Sequence, residues 1–129
     1  MLIQLSDELS PVFSQRGLSI KLEIDEDLTV CADADQLARV FSNILKKCGG
    51  IQLSEYRNQN LYRESERTCL RHFQNKGNTI PAEKLSSLFG KFYRLDESRA
   101  SDTGGTGLGL AIAKEIILLH GGTIHASSE

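Results

Sequence analysis

The stretch Asp102-Thr103-Gly104-Gly105-Thr106-Gly107-Leu108-Gly109-Leu110 runs directly into Ala111-Ile112-Ala113-Lys114 and on through a mostly apolar segment that ends at His120-Gly121-Gly122. Glycines at this density permit positive φ and a close approach of the backbone, so successive amides can turn toward an anion while the helix behind them adds its partial positive charge. Phosphate binding is the chemistry that this pattern suggests; a flexible loop leading into a core helix is the plainer alternative. Two familiar nucleotide loops are excluded by their own mechanics. A P-loop needs a Lys-Ser/Thr pair after its last glycine, and Gly109 is followed by Leu110-Ala111. A Rossmann turn needs a buried strand before it, and Arg94 to Thr103 is polar and mixed in charge.

Outward from the loop, the periodicities alternate between helix and strand. The helix after Leu108 is expected to reach His120, with Thr123-Ile124-His125-Ala126 starting a strand beyond it. Upstream, Leu85, Leu88, Phe89 and Phe92 follow Pro81 at helical spacing. Leu37, Val40, Phe41, Ile44 and Leu45 make a broad apolar stripe behind Asp33, a residue suited to cap that helix. Leu18, Ile20, Leu22 and Ile24 alternate with polar residues as a half-buried strand does, and Leu28 to Ala32 reads as a second one. Leu2, Leu5, Leu9, Val12 and Phe13 predict an N-terminal helix that Pro11 should kink or end early. Between residues 47 and 72 polar side chains interrupt any clean alternation, so the segment reads as a poor strand and a poor helix. The order predicts an α+β two-layer architecture and no regular βαβ repeat.

With 129 residues, 40% of them hydrophobic, the chain is expected to form one domain spanning 1–129. A net charge of -2 gives no global attraction to nucleic acid or an anionic membrane, so an anionic ligand has to be recognised locally. No apolar run approaches the roughly 18 residues of a membrane span, and Met1 to Leu5 lacks the basic leader and long apolar core of a signal peptide. A cytoplasmic location without direct membrane contact is the expectation. Cys31, Cys48 and Cys69 are odd in number and widely spaced, which fits free thiols better than disulfides or zinc ligation.

Gly105-Thr106-Gly107-Leu108-Gly109-Leu110 with Ala111-Ile112-Ala113-Lys114, and His120-Gly121-Gly122 one helix later, resembles the second glycine box of the histidine-kinase ATPase domain. Leu88-Phe89-Gly90-Lys91-Phe92-Tyr93-Arg94 is similar to that family's phenylalanine box, and Asn75-Lys76-Gly77-Asn78-Thr79-Ile80-Pro81 to its first glycine box. Asp35 to Leu45, ending in Asn43-Ile44-Leu45, resembles the front of its asparagine box. The tract from Phe92-Tyr93-Arg94-Leu95-Asp96-Glu97-Ser98-Arg99 through Lys114-Glu115-Ile116 is especially similar to the vancomycin-resistance sensor kinases. The resemblance implies the Bergerat fold of the family, a mixed, mainly antiparallel sheet on three helices. It also implies ATP and magnesium as ligands, with ATP between the helical layer and a mobile lid. Asn75 would accept a hydrogen bond from the adenine amino group, where the family more often has Asp, and Gly77 would pass close to the base. Gly105, Thr106, Gly107, Leu108, Gly109 and Leu110 would frame the phosphates, and Arg94 and Arg99 would bring charge, although exposed arginines on a solvated surface read the same way. Phe89 and Phe92 are expected to pack.

The implied partners are a histidine-bearing dimerisation domain of the same kinase, which receives the γ-phosphoryl group, and a response regulator. The resemblance places such a domain on the cytoplasmic side of a membrane-anchored bacterial sensor. None of His72, His120 and His125 has the acidic follower expected of the phospho-acceptor, because Phe73, Gly121 and Ala126 come next.

The sequence departs from the family one turn after Asn43. The family holds magnesium with a second asparagine there, and this chain has Lys47, which offers three donors and no lone pair. Asn43 remains as a possible ligand. Cys48-Gly49-Gly50-Ile51-Gln52 also departs. If Lys47 and Cys48 are encoded by AAA and TGC, followed by GGC, GGC, ATA and CAG, loss of one A restores Asn-Ala-Ala-Ala-Tyr, and a shifted frame to about Phe73 can be read as two alternating strands. The expectation is therefore a frameshifted segment over about 47–73, a hairpin stripped of its apolar face, and a chain ending at Glu129 before the family's last strand. Two other readings compete: a degenerate nucleotide-binding or interaction module without turnover, and a mismatch-repair, gyrase or chaperone relative of the same superfamily. The phenylalanine box beside the second glycine box argues against the latter.

Overall fold

A computed structural model describes residues 1–15, 17, 20–23, 30–47, 51–57, 69–74, 79–93 and 107–129. Their elements in chain order are α1 (Leu2–Gln15), β1 (Ile20–Glu23), α2 (Ala34–Lys47), β2 (Ile51–Arg57), β3 (Cys69–Gln74), α3 (Ala82–Leu85) and α4 (Gly109–Leu119). The chain divides into two compact units, Met1–Ala32 with Cys48–Lys76 and Asp33–Lys47 with Gly77–Glu129.

In the first unit, α1 continues past Pro11 to Gln15, so of the kink or early end expected at the proline the early end does not occur. Proline removes one amide donor, the partner of the Asp7 carbonyl, and that carbonyl belongs to an exposed residue, where an unpaired acceptor costs little. Leu2, Ser6 and Phe13 are buried, and Gly17 closes the helix at φ +66° with its amide on the Ser14 carbonyl at 3.0 Å. The sheet has the order β1-β2-β3. β1 pairs parallel with β2 from Ile20↔Ile51 to Glu23↔Ser54, and β2 pairs antiparallel with β3 from Gln52↔Gln74 to Arg57↔Cys69. The sheet is thus mixed, and the segment that reads poorly as strand supplies two of its three described strands. On β3, Arg71 and Phe73 are half-buried while His72 and Gln74 are exposed, so a period of two survives there. Burial lowers the pKa of the Arg71 guanidinium from its ordinary value. Of the strand expected at Leu28 to Ala32, Leu28 and Thr29 lie outside the described residues, and Val30, Cys31 and Ala32 are exposed without regular structure.

The second unit is built on α2 and α4. Asp33 caps α2 as its sequence position suggests: Oδ1 accepts from the Gln36 amide at 3.0 Å, and its carbonyl accepts from Leu37 at 3.0 Å. Lys46 and Lys47 at the other end complement the helix dipole. The apolar stripe of α2 is buried at Leu37, Val40, Phe41 and Leu45, and α4 buries Ala113 and Ile116. Ala113 is fully inaccessible, and its small side chain lets the helices approach closely. Burying each of the larger side chains, Leu37, Val40, Phe41, Leu45 and Ile116, contributes about 2 kcal/mol.

α4 ends as a Schellman motif. Gly122 donates to the Ile117 carbonyl at 2.9 Å and Gly121, at φ +73°, donates to Leu118 at 3.0 Å. The strand expected at Thr123 to Ala126 is not formed, since no ladder partner lies beside it among the described residues. That tail is instead anchored near its end, where the Ser128 hydroxyl accepts from the Ile80 amide at 2.8 Å and Thr79 Oγ1 donates to the Glu129 carbonyl at 3.0 Å. The helix expected over Leu85 to Phe92 stops at Leu85. Short-range bonds from Ser87 to Lys84, Leu88 to Leu85 and Gly90 to Ser87 replace it with successive turns. Serines at 86 and 87 compete with helical hydrogen bonding, and Phe92 adopts φ +62°, which no helix allows.

Candidate functional site

The described part of the glycine-rich loop is its end, where it becomes α4. Gly107 sits at φ +75°, and its carbonyl accepts from the Phe92 amide at 3.0 Å. A Cβ on Gly107 would stand 2.9 Å from both the Phe92 carbonyl carbon and Cα, so only glycine fits between the two segments. Phe92, at left-handed φ and 73% exposed, does not pack as expected of it; it serves through its backbone, and Phe89 alone of the pair is half-buried. This backbone contact was invisible in the sequence, although two aromatic positions next to a glycine loop mark the place.

Leu108 is the N-cap of α4 and provides no side-chain hydrogen bond, and the first turn holds no acidic residue. The first amide of the helix with an assigned backbone partner is that of Ile112, bonded to the Leu108 carbonyl at 2.9 Å. The amides of Gly109, Leu110 and Ala111 have no partner among the described residues, and three convergent donors at a positive helix end favour an anion. Gly109 differs from Gly107: its conformation is helical, and an added Cβ would meet Asn43 at an ordinary 3.7 Å.

Asn43, half-buried on α2, donates its amide Nδ2 to the Gly109 carbonyl at 3.1 Å. Of the residues expected to form the site, Asn43, Gly107, Leu108, Gly109 and Leu110 are therefore brought to one junction. Asn75, Gly77, Arg94, Arg99, Gly105 and Thr106 lie outside the described residues. Lys47, one turn beyond Asn43, ends α2 with an exposed side chain. Magnesium takes about six oxygens in octahedral array. Asn43 offers one oxygen, Lys47 offers none, and no group of three His, Cys, Asp or Glu among the described residues could hold a metal ion. Among the described residues, Asn43 is thus the one expected magnesium ligand that offers an oxygen at this position.

Two features adjoin α4. A cavity of about 300 Å³ is lined by Lys91, Leu108, Ala111, Ile112 and Glu115, so it shares Leu108 and Ala111 with the junction and carries one charge of each sign. His120 joins the two ends of the unit. Its Nδ1 faces the Ile116 carbonyl at 2.8 Å and so carries the hydrogen, which leaves Nε2 to accept from the Asp33 amide at 3.1 Å. Both ring nitrogens of His120 are thereby engaged. No sequence signal pairs residues 87 positions apart in this way.

The family model of the histidine kinase-, DNA gyrase B- and HSP90-like ATPases matches residues 32–129. The chain is 48% identical over 128 residues to the sensor protein VanS of Enterococcus faecium, covering 99% of this chain and 33% of that protein. It is 40% identical to the sensor protein VanSC of Enterococcus gallinarum, covering 100% of this chain and 36% of the relative. The chain thus spans about a third of the length of these curated relatives. Among solved structures, the mycobacterial sensor histidine kinase MprB superimposes with a TM-score of 0.63 at 23% identity, over 93% of this chain and 77% of that one, which supports the expected α+β fold. No helix among the described residues is long and apolar enough to cross a membrane. By the family match over three quarters of its length, this chain belongs to the histidine kinase-, DNA gyrase B- and HSP90-like ATPases.

Proposed function

We propose that residues 1–129 are one ATP-binding catalytic domain of a sensor histidine kinase, working on the cytoplasmic side of the membrane and altered in its metal-binding segment. The observation that carries this is the junction at Gly107 to Leu110, where a glycine-built turn leads into a helix whose first amides have no described partner, braced by Asn43. In this reading those amides hold the nucleotide's phosphates. Asn75 accepts from the adenine amino group, Gly77 lies against the base, and Arg94 and Arg99 balance charge. The reaction is displacement at the γ-phosphorus. A histidine ring nitrogen of the dimerisation domain forms the new P–N bond, ADP leaves with the electron pair of the broken P–O bond, and the imidazole gives up its proton. The chain's part is to position the triphosphate and offset its charge. The phosphoryl group then passes to a response regulator. His120, with both nitrogens engaged, is not a candidate acceptor.

Lys47 favours a second reading, a degenerate module that binds nucleotide weakly and does not turn over. A one-base change over about 47–73 explains Lys47 and Cys48 together, and the gene sequence tests it. Codons incompatible with asparagine at position 47 in another frame remove that explanation. The functional test is titration of a fluorescent ATP analogue with and without magnesium, in the chain as it stands and in Lys47→Asn. The expected result is weak, magnesium-insensitive binding that becomes magnesium-dependent and about tenfold tighter in the variant, the gain from restoring one metal ligand. Strong magnesium-dependent binding by the unaltered chain refutes the loss of the metal site, and no binding by either protein refutes the nucleotide reading.

A further inference from the structure

A side-chain hydrogen bond joins α2 to the first residue of α4, from Asn43 to Gly109. A carbonyl oxygen only accepts, so the Asn43 group 3.1 Å from the Gly109 carbonyl is the amide nitrogen, and this fixes which way the side chain faces. The bond is half-buried, spans 66 residues of sequence, and reaches the first residue of the helix whose amides face the loop. In Gly109 the missing Cβ leaves Asn43 Cβ and Cγ within 3.7 Å of the position it would fill, so the asparagine lies flat against the helix start. α4 has no side-chain cap of its own to hold that first turn.

We propose that Asn43 is a positioning residue, an external clamp that substitutes for the missing cap by holding the first turn of α4 in place before any ligand arrives. This deepens the nucleotide reading and rests on it for the consequence: the Gly109, Leu110 and Ala111 amides are pre-aimed at the phosphates. Asn43 acts on the ligand through the helix, and its Nδ2 is spent on the backbone.

Asn43→Asp tests the clamp, because it keeps the shape and replaces the donor by a carboxylate that a carbonyl repels. Amide hydrogen exchange of the nucleotide-free, full 129-residue chain is followed at Ile112 and Ala113. At neutral pH these amides are expected to exchange about tenfold faster than in the unaltered chain, with the middle of α2 unchanged, as loss of one partly buried hydrogen bond implies. At about pH 4 the new carboxyl takes up a proton, regains a donor, and the ratio to the unaltered chain at the same pH returns toward one. A purely structural loss of packing has no such pH profile. Should that variant not fold, Asn43→Ser is expected to show the faster exchange without the recovery at low pH.

Affinity for the fluorescent ATP analogue is expected to fall in parallel with the loss of protection. Unchanged protection at Ile112 and Ala113 overturns the clamp, and so does a drop in nucleotide affinity without faster exchange, which assigns Asn43 to ligand contact instead. Faster exchange with the predicted recovery, in a chain that binds no nucleotide at all, upholds the clamp and overturns only the nucleotide reading.

Discussion

Gly107 and Gly109 stand two residues apart in one motif, and the structure gives alanine opposite effects at the two positions. At Gly107, φ is +75°, which costs an L-residue about 1–2 kcal/mol. The added methyl also lies 2.9 Å from the backbone carbonyl carbon and Cα of Phe92. Neither atom can swing aside, and the required backbone shift adds about 1–3 kcal/mol. Gly107→Ala should therefore lose about 3 kcal/mol, which in a domain of this size lowers the melting temperature by about 10 °C. At Gly109 the conformation is helical and the nearest atom is Asn43 Cβ at 3.7 Å, so alanine is accommodated. It also removes unfolded-state freedom, and Gly109→Ala should gain about 0.5 kcal/mol.

Thermal unfolding followed by far-UV circular dichroism measures both effects, and titration of a fluorescent ATP analogue on the same samples separates fold from function. An alanine Cβ at Gly109 faces Asn43, so a loss of binding there reports the contact between Asn43 and the helix start with the fold intact. Gly109→Ala is expected to bind at least about tenfold more weakly while unfolding at the same or a higher temperature, the signature of a helix start disturbed at Asn43 in a sound scaffold. A Gly107→Ala protein as stable as the unaltered chain refutes the steric reasoning, and a Gly109→Ala protein that is both destabilised and undiminished in binding refutes the division of labour.

Three further outcomes are expected. Leu45→Ala, at a side chain 1% exposed beneath α4, should cost about 3 kcal/mol in chemical denaturation; a loss below about 1 kcal/mol places the core elsewhere. His120→Ala removes an exposed bond to the Asp33 amide and a partly buried one to the Ile116 carbonyl and should cost about 1 kcal/mol; an unchanged melting temperature shows that neither bond contributes. Phe92→Val, a β-branched residue at φ +62°, should lose about 1 kcal/mol while Phe92→Asn loses none, and equal stabilities show that the left-handed backbone is absent.

The parts of the fold that were legible in the sequence are those fixed by neighbouring residues. α2 announced itself through Asp33 at its start and a stripe from Leu37 to Leu45, and α4 through Gly121-Gly122, whose left-handed turn closes the helix where the pair predicts. Illegible parts depend on partners distant in sequence or on backbone competition. The spacing of Leu85, Leu88, Phe89 and Phe92 is helical, yet the backbone turns away because Phe92 is tied to the Gly107 carbonyl. β2 and β3 carry polar residues that mask their alternation, and pairing with partners distant in sequence makes them strands, β2 with β1 from Ile20↔Ile51 to Glu23↔Ser54 and with β3 from Gln52↔Gln74 to Arg57↔Cys69.

The same distinction applies inside the site. Motif resemblance treats Asn43, Gly107 and Gly109 alike as ligand-binding positions, because it records which residues occur together and not what each touches. The structure separates them by what each already contacts. Gly107 is confined by Phe92, and any ligand role it has is borrowed from the turn it permits. The Asn43 donor is committed to the Gly109 carbonyl, which makes it a brace for the helix end. Gly109 meets Asn43 only at ordinary contact distance, so the case for an anion at this helix start rests on the Gly109, Leu110 and Ala111 amides, which have no partner among the described residues.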